Sequence, residues 1–201
     1  MTSADRPRCG WATSAPEYIA YHDDEWGIVR HGDHEMFERM SLEAFQSGLS
    51  WLIILRKRPA FRAAFADFDI QTVAGFDDRD VDRLLGDAGI VRNRRKIEAT
   101  ISNARAIGDA VPEGLDELLW SYAPSGPRSR PRDLTEVPAT STESVAMAKA
   151  LKQRGFRFVG PTTAYALMQA TGMVDDHVAS CWRAPQPRLT PPGASGQLSA
   201  R

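Results

Sequence analysis

The sequence has no long apolar segment and almost no net charge. No apolar run in its 201 residues approaches the ~20 residues that a helix needs to cross a bilayer, so we expect no membrane partner. The net charge of -1 gives no overall attraction to nucleic acid. A surface that binds DNA must therefore depend on local clusters of Lys and Arg.

The sequence also has few cysteines and lacks a secretory signal at its N-terminus. The stretch MTSADRPRCGW contains neither the apolar segment nor the cleavage pattern of such a signal. We therefore expect a cytoplasmic protein, in a reducing compartment where a structural disulfide is disfavoured. The 42% hydrophobic and 25% charged residues are typical of a soluble globular protein.

Apolar residues recur at helical spacing along most of the chain, for example within residues 36–44. No segment alternates convincingly as a strand, so the pattern predicts an all-α fold. We expect one helical domain over residues 1–185, with two packed lobes as an alternative, divided by a proline-rich loop near residues 123–138. The Pro-, Gly- and Ser-rich tail at residues 186–201 predicts disorder.

Local signals predict several helix ends. Residues 14–17, SAPE, have the pattern of a capping box with proline in the first turn. Gly48, Gly108 and Gly155 each follow a periodic stretch and predict helix stops, because glycine adopts left-handed backbone angles readily.

The two cysteines pair with histidines near the two ends of the sequence. His177 and Cys181 are four residues apart, which on a helix places both on one face, while Cys9 and His22 must be brought together by a loop. The spacing leaves two interpretations open: ordinary buried side chains, or four ligands of one zinc ion. A closed set of four protein ligands leaves no position for an activated water, so such a zinc would be structural. It would tie the N-terminal segment to the last helix.

Aromatic residues are dense in the first quarter of the sequence. This density has two interpretations, a hydrophobic core or a stacking pocket for a flat ligand. Glu43 lies among apolar residues at the end of a helical segment, where an acid without a partner is costly to bury. That position favours a functional acid. The aromatic residues are Trp11, Tyr18, Tyr21, Trp26 and Trp51.

Two basic clusters have the alternative interpretations of solvated helix ends or DNA contacts. They consist of Arg92, Arg94, Arg95 and Lys96, and of Lys149, Lys152, Arg154 and Arg157.

Several motifs together resemble the 3-methyladenine DNA glycosylase I family over nearly the whole chain. They are RCGW at 8–11, YIAYHDDEWG at 18–27, LE at 42–43, GLSW at 48–51, and RGFRFVGPTTAYALMQATGMVDDHVASC at 154–181. The resemblance implies a helix-hairpin-helix fold and a structural zinc ion. The implied zinc ligands are Cys9, His22, His177 and Cys181.

The resemblance also implies base-excision repair, in which 3-methyladenine is flipped out of double-stranded DNA and released. We expect Trp51 to stack on the base, Tyr21, Tyr18 and Trp11 to line the pocket, and Glu43 to accept a hydrogen bond from the exocyclic amine. Methylation at N3 leaves the base cationic and a good leaving group, so little general acid is required.

Asp175 is a competitor for the catalytic role, because Val-Asp-x-His after the hairpin is a pattern of many glycosylases in this superfamily. It has an alternative role as the cap of a helix that carries zinc ligands. We rank Glu43 above it. No lysine suggests lyase chemistry, so we expect a monofunctional enzyme, acting as a monomer.

The stretch FRFVGPTT is similar to the family's hairpin, with Phe158 where a first glycine is usual. Its implied DNA contacts serve to position the protein rather than to read sequence. Leu49 is either a wedge that fills the gap left by the flipped base or a core residue. The predicted DNA-contacting residues are Leu49, Lys152, Arg157, Gly160 and Thr162.

Two rival functions remain open from the sequence. One is a noncatalytic, zinc-stabilised protein that binds damaged DNA, which would bind without releasing a base. The other is a metal-dependent hydrolase, which would need an open coordination position on the metal.

Overall fold

A computed structural model describes residues 6–126 and 128–183. The tail predicted to be disordered, 186–201, lies outside these described residues. Within them the chain is helical and contains no strand, which confirms the all-α prediction. The α-helices of the described part are α1 (Pro16–Asp24), α2 (Asp33–Gln46), α3 (Trp51–Ala64), α4 (Ile70–Ala74), α5 (Asp78–Gly86), α6 (Arg94–Ala110), α7 (Leu115–Trp120), α8 (Thr142–Gln153) and α9 (Pro161–Ala170).

Helix α2 lies at the centre of the fold. It packs against α3, α6, α7 and α9, and one buried run of it extends from Met40 to Phe45. Phe45 contacts Phe61 of α3 with ring centroids 4.7 Å apart. A polar side chain within this buried run is removed from water.

A second, smaller cluster of buried side chains joins the two ends of the described chain. It includes Tyr21 and Trp26 from the N-terminal region, Leu55 from α3, and Val178 near the C-terminal end. This cluster fixes α1 against α3, beside the end of α2 that carries Glu43.

Two of the predicted helix-end signals are wrong. Helix α1 has proline at its first position, but its N-cap is Ala15, and no side chain caps it, so Ser14 forms no capping box. Gly108 lies inside α6 rather than after it, because that helix continues to Ala110. Gly48 and Gly155 do follow helix ends and adopt the positive φ angles expected of them, 83° and 87°.

The segment from His177 to Cys181 is not helical, contrary to the sequence prediction. The last helix ends at Ala170, and Cys181 instead closes a turn in which its amide donates to the carbonyl of Val178 at 2.8 Å. The four-residue spacing of His177 and Cys181 therefore brings the two side chains together across a turn and not along one face of a helix. Residues 123–126 and 128–138, within the predicted loop, contain no α-helix and include one 3-10 turn at Leu134–Glu136.

No helix among the described residues is long and apolar enough to cross a membrane.

Candidate active site and metal centre

A pocket that opens to solvent lies between α2 and α3, and its empty space, open solvent included, is about 290 Å³. Side chains from successive turns of both helices form its walls, and Tyr21 of α1 and Ala170 of α9 complete it. The residues that line it are Tyr21, Glu35, Glu38, Arg39, Leu42, Glu43, Trp51, Arg58, Arg62 and Ala170.

Two buried acids line this pocket: Glu38, which pairs with Arg62 at 2.8 Å, and Glu43. Glu43 is 6% exposed, and its carboxyl group has no hydrogen-bond partner among the described residues. Burial raises the pKa of Glu43 to about 8, and the nearby Arg39 guanidinium opposes that rise. A carboxylate here is therefore stabilised by any cation or hydrogen-bond donor that enters the pocket.

The aromatic wall of the pocket consists of Tyr21 and Trp51. Their ring centroids are 5.5 Å apart and the planes are inclined by 52°. The indole N–H of Trp51 is buried and has no hydrogen-bond partner among the described residues. The pocket therefore presents an aromatic surface, a free indole N–H and a free carboxyl group.

Ion pairs hold the arginine side chains that line the pocket. Arg58 of α3 makes two hydrogen bonds to Glu25, at 2.6 and 2.7 Å, and Arg39 pairs with Glu35 at 2.7 Å. The sequence analysis did not predict these ion pairs. The pair of Glu35 and Arg39, four residues apart on a helix, is a signal that could have been found, whereas the contact of Arg58 with Glu25 has no local signal.

Trp11 and Tyr18 do not line this pocket. The Tyr18 hydroxyl accepts a hydrogen bond from the amide of Leu52 at 3.0 Å, in the first turn of α3. Trp11 packs edge-on against Tyr18 and Trp26, with centroids 5.8 and 5.1 Å apart. Both rings lie behind the pocket wall, where they hold α1 and the start of α3 in place.

The four predicted metal ligands meet in one buried cluster. Their ligand atoms all lie within 4.8 Å of one another. His177 Nδ1 is 3.6 Å from the sulfur atoms of both Cys9 and Cys181, and His22 Nε2 is 3.4 Å from that of Cys181. Bonds of about 2.3 Å to sulfur and about 2.0 Å to nitrogen in a tetrahedron place the two ligand atoms about 3.5 Å apart. The cluster therefore fits a metal ion.

The surroundings of the histidines support the same conclusion. His22 Nδ1 lies 2.8 Å from the Asp23 carboxylate, and His177 Nε2 lies 3.3 Å from the carbonyl of Trp26, so each ring directs its other nitrogen into the cluster. Burial lowers the pKa of His177 to about 3, which keeps it neutral. Burial raises the pKa of Cys9 to about 12, so a thiolate there needs a neighbouring cation.

Asp175 is engaged in contacts outside the pocket. One oxygen pairs with Arg130 at 3.0 Å, and the other accepts the amide of His177 at 3.1 Å, within a turn rather than at a helix cap. Its neighbour Asp176, which the sequence interpretation did not single out, is buried and accepts from the Tyr165 hydroxyl at 2.6 Å.

The turn between α8 and α9 exposes most of the residues predicted to contact DNA. Lys152, Arg157 and Thr162 are exposed, and Gly160 is the N-cap of α9. Phe158 is 41% exposed and has a φ of 55°, in the left-handed region that favours glycine. The backbone thus keeps the shape that glycine adopts easily, although phenylalanine occupies the position.

Leu49 lies in the loop between α2 and α3 and is half-buried. Its carbonyl accepts a hydrogen bond from the Gln46 side chain at 2.8 Å, and its amide donates to the Gln46 carbonyl at 2.7 Å. These two bonds hold the loop in a defined turn.

The two basic clusters separate into different environments. Lys96 is buried and contacts backbone carbonyls, so it is neither a solvated helix end nor a DNA contact. Arg94 pairs with Asp82 and Arg154 pairs with Glu113, whereas Arg92 and Arg95 are exposed.

The sequence model of the methyladenine glycosylase family matches residues 11–184. The chain therefore belongs to this family, and it is an enzyme of the class that acts on N-glycosidic bonds. It is 46% identical to DNA-3-methyladenine glycosylase 1 of Escherichia coli (strain K12) over 177 residues, which cover 87% of this chain and 95% of that protein. It is 40% identical to DNA-3-methyladenine glycosylase of Haemophilus influenzae, over 87% of this chain and 96% of that protein.

Solved structures have the same fold. A crystal structure of 3-methyladenine DNA glycosylase I superposes with a TM-score of 0.85 at 43% identity, covering 89% of this chain and all of that one. The enzyme from Staphylococcus aureus, whose structure concerns recognition of 3-methyladenine, gives a TM-score of 0.83 at 32% identity, covering 91% of this chain and 98% of that one.

Proposed function

We propose that the protein is a base-excision repair enzyme that flips 3-methyladenine out of alkylated double-stranded DNA and releases it by hydrolysis. One observation carries the proposal: a buried, unpartnered Glu43 carboxyl group faces an aromatic pocket that also offers the free N–H of Trp51. Two similar proteins are named for this activity, and one solved relative is a complex with 3-methyladenine.

The pocket suits a flat cationic base. Aromatic faces attract a cation, and the attraction strengthens in a site removed from water. Glu43 accepts a hydrogen bond from the exocyclic amine, and the positive charge of the alkylated base favours the ionised carboxylate. A normal adenine lacks that charge and gains less from both contacts, which provides the selectivity.

Release requires little proton transfer, because the alkylated base is already a good leaving group. Asp175 is held by Arg130 and by its own turn, so it serves the structure of the turn while Glu43 serves the base. None of the described residues that line the pocket is a lysine, which supports a monofunctional enzyme without lyase chemistry. We propose that it acts as a monomer.

Helices α8 and α9 with their connecting turn form a helix-hairpin-helix motif that contacts the DNA backbone. The first amides of α9 after Gly160 point toward a phosphate, with Thr162 beside them and Lys152 and Arg157 supplying charge. Leu49, on the loop between α2 and α3, fills the gap that the flipped base leaves.

The four-residue cluster holds one structural zinc ion. Its two thiolates, two neutral imidazoles and their spacing are those of a closed tetrahedral site. When bound, the ion supplies attachment between the two ends of the chain and no chemistry on the substrate, since all four positions are taken by protein. Cys9, His22, His177 and Cys181 hold it.

The decisive experiment incubates the protein with duplex DNA that contains 3-methyladenine and measures free base and abasic sites. We expect free base and intact abasic strands. A Glu43→Gln variant should lose at least about tenfold in single-turnover rate, whereas Asp175→Asn should retain most of it. Tight binding without base release would instead favour a noncatalytic damage-binding protein.

A further inference from the structure

One face of α6 carries a row of buried polar side chains. Lys96, Thr100 and Asn103 lie at positions i, i+4 and i+7 of the helix, and their residues are 7%, 2% and 2% exposed. Thr100 bonds within the helix, to the carbonyl of Lys96 at 3.0 Å. The two outer residues instead bond to other segments of the chain.

Lys96 is bound to the last turn of α2 and to the start of the loop that joins α2 to α3. Its ammonium group donates to the carbonyls of Phe45 at 2.9 Å and Ser47 at 2.6 Å. No carboxylate of the described part of the chain pairs with it. A buried ammonium without a counter-ion is costly, and the carbonyls that α2 leaves unsatisfied at its C-terminal end are the compensation.

Asn103 is bound to the turn between α8 and α9. Its side-chain amide donates to the carbonyl of Arg157 at 3.1 Å, and its oxygen accepts the Arg157 amide at 2.8 Å. Both backbone groups of one turn residue are thus held by one side chain. The neighbour of Arg157 is Phe158, whose left-handed backbone makes this turn dependent on such support.

We propose that α6 is a strut whose Lys96 and Asn103 are positioning residues that set the distance between the loop at residues 46–50 and the turn at residues 154–160. This inference rests on the proposed function, which places both segments against DNA. The two side chains are seven residues apart on one rigid helix, a rise of about 10 Å. The loop follows the helix that carries Glu43 and leads into Trp51, so its position relative to the phosphate-binding turn aligns the flipped nucleotide with the pocket.

If Lys96 and Asn103 only stabilised the fold, their loss would affect all activities alike. As positioning residues they affect the use of duplex DNA and not the binding of the free base. Each anchor fixes a backbone segment rather than the base pocket, so loss of an anchor leaves the pocket able to bind free 3-methyladenine. Duplex DNA must satisfy both segments at once, so its binding and excision depend on their separation. Misplacement by about 1 Å is enough to lower a rate by about 100-fold.

The test compares Lys96→Met, Asn103→Leu and the double variant with the parent enzyme. Three quantities are measured: affinity for free 3-methyladenine, affinity for a duplex with a non-cleavable abasic analogue, and the single-turnover excision rate. We expect each single variant to lose about 10- to 100-fold in excision and duplex affinity, with free-base affinity changed less than about twofold. The double variant should lose little more excision rate and duplex affinity than either single variant. The loss of one anchor already leaves the distance between the two segments undefined, so the loss of the second adds little.

Arg105→Met is the matched control. Arg105 lies on the same helix and also donates to two loop carbonyls, those of Ala74 at 2.8 Å and Phe76 at 2.6 Å, but that loop is not one of the two proposed to contact DNA. We expect this variant to lower thermal stability and to leave excision unchanged.

Several outcomes would contradict the proposed role of α6. Full activity of both single variants, strictly additive losses, or a parallel loss in free-base affinity would each do so. If a variant fails to fold, Lys96→Gln and Asn103→Asp, which keep part of the contacts, must show a smaller loss of the same kind. An inactive parent enzyme would refute the proposed function itself, whereas an active parent with equally active variants would refute only the strut.

Discussion

The Glu43 carboxyl group makes the folded protein sensitive to pH. Its pKa is raised from 4.5 to about 8 by burial, so between these values the folded state retains a proton that the unfolded chain has lost. Stability therefore decreases as pH rises through this window, and the loss is absent below pH 4.5, where both states are protonated.

We expect Glu43→Gln to be more stable than the parent protein by an amount that grows from pH 5 to pH 8. The neutral amide removes the pH-dependent loss, which for a pKa rise from 4.5 to about 8 is on the order of 4 kcal/mol and corresponds to about 8–16 °C in Tm for a chain of this size. Thermal unfolding at several pH values measures it. Glu117→Gln, at an exposed site on α7, is the control and should show no such gain. A constant difference between Glu43→Gln and the parent across the range would contradict the assignment.

Asp23 is the second residue whose surroundings define a specific outcome. Its carboxylate accepts from Arg8 at 2.6 Å, His22 at 2.8 Å and Trp182 at 3.2 Å, and these contacts hold its pKa well below the usual range. It orients the imidazole of His22 toward the two cysteines and His177, as carboxylates commonly do for histidines that bind zinc.

Asp23→Asn should therefore weaken zinc binding by about 10- to 100-fold without removing a ligand. Competition with a chromophoric chelator gives the affinity. The adjacent exposed residue supplies the control, and Asp24→Asn should bind zinc like the parent. Equal affinities for the two variants would show that Asp23 does not orient the ligand.

At the scale of helices and their connections, we expect substitution by alanine to have opposite effects on stability at two glycines. Gly172 has a φ of 75°, and a Cβ atom there would lie 2.6 Å from the amide nitrogen of Val29. Gly108 lies inside α6 with nothing within 4 Å of such an atom. The first glycine is required by close backbone approach, and the second is a weak point of its helix.

Gly172→Ala should destabilise the protein by at least about 2 kcal/mol, because the backbone of the neighbouring segment must move. Gly108→Ala should stabilise it by about 0.5–1 kcal/mol through its higher helix propensity. Chemical denaturation of both variants measures the two effects. A gain in stability at residue 172 would show that the segment around Val29 yields without strain.

Helical periodicity predicted the class of fold because apolar spacing is a local property, and most of the helices bury one face. Local signals failed where a distant contact decides the structure. Ser14 has a capping sequence that the fold does not use, and His177 and Cys181 have helical spacing within a turn. The burial of Lys96 was not visible either, since the carbonyls that hold it are about 50 residues away in sequence.

In the candidate site, too, features set by local sequence were predicted and features set by distant contacts were not. Glu43 and Trp51 were found because an acid in an apolar stretch and an aromatic motif are both visible in sequence. The ion pairs of Glu25 with Arg39 and Arg58 were not predicted, because pairs of this kind are indistinguishable from solvated surface charge until the helices are packed.

At the scale of the whole molecule, removal of the metal should destabilise the region around the Cys/His cluster without unfolding the rest of the protein. The larger hydrophobic cluster contains none of the four ligands, so its helices remain packed when the metal is absent. We expect one zinc ion per chain and, after chelation, a Tm lower by at least about 5 °C with the far-ultraviolet helical signal retained at 25 °C.

Elemental analysis and circular dichroism with and without chelator test this expectation. His31→Ala, which changes an exposed histidine outside the cluster, should keep both the metal and the Tm. Global unfolding on chelation would mean that the larger hydrophobic core does not remain folded without the ion.

The cluster also changes the topology of the unfolded chain. A metal held by Cys9 and Cys181 closes a loop of about 170 residues, which in the chain-entropy description of a cross-link removes on the order of 5 kcal/mol of freedom from the unfolded ensemble. Wherever thiols are kept reduced, a disulfide cannot serve this purpose, whereas a thiolate-bound ion can. An ion that stays bound to both cysteines turns the unfolded chain into a ring, so the two linked segments cannot separate as far as they would in an open chain.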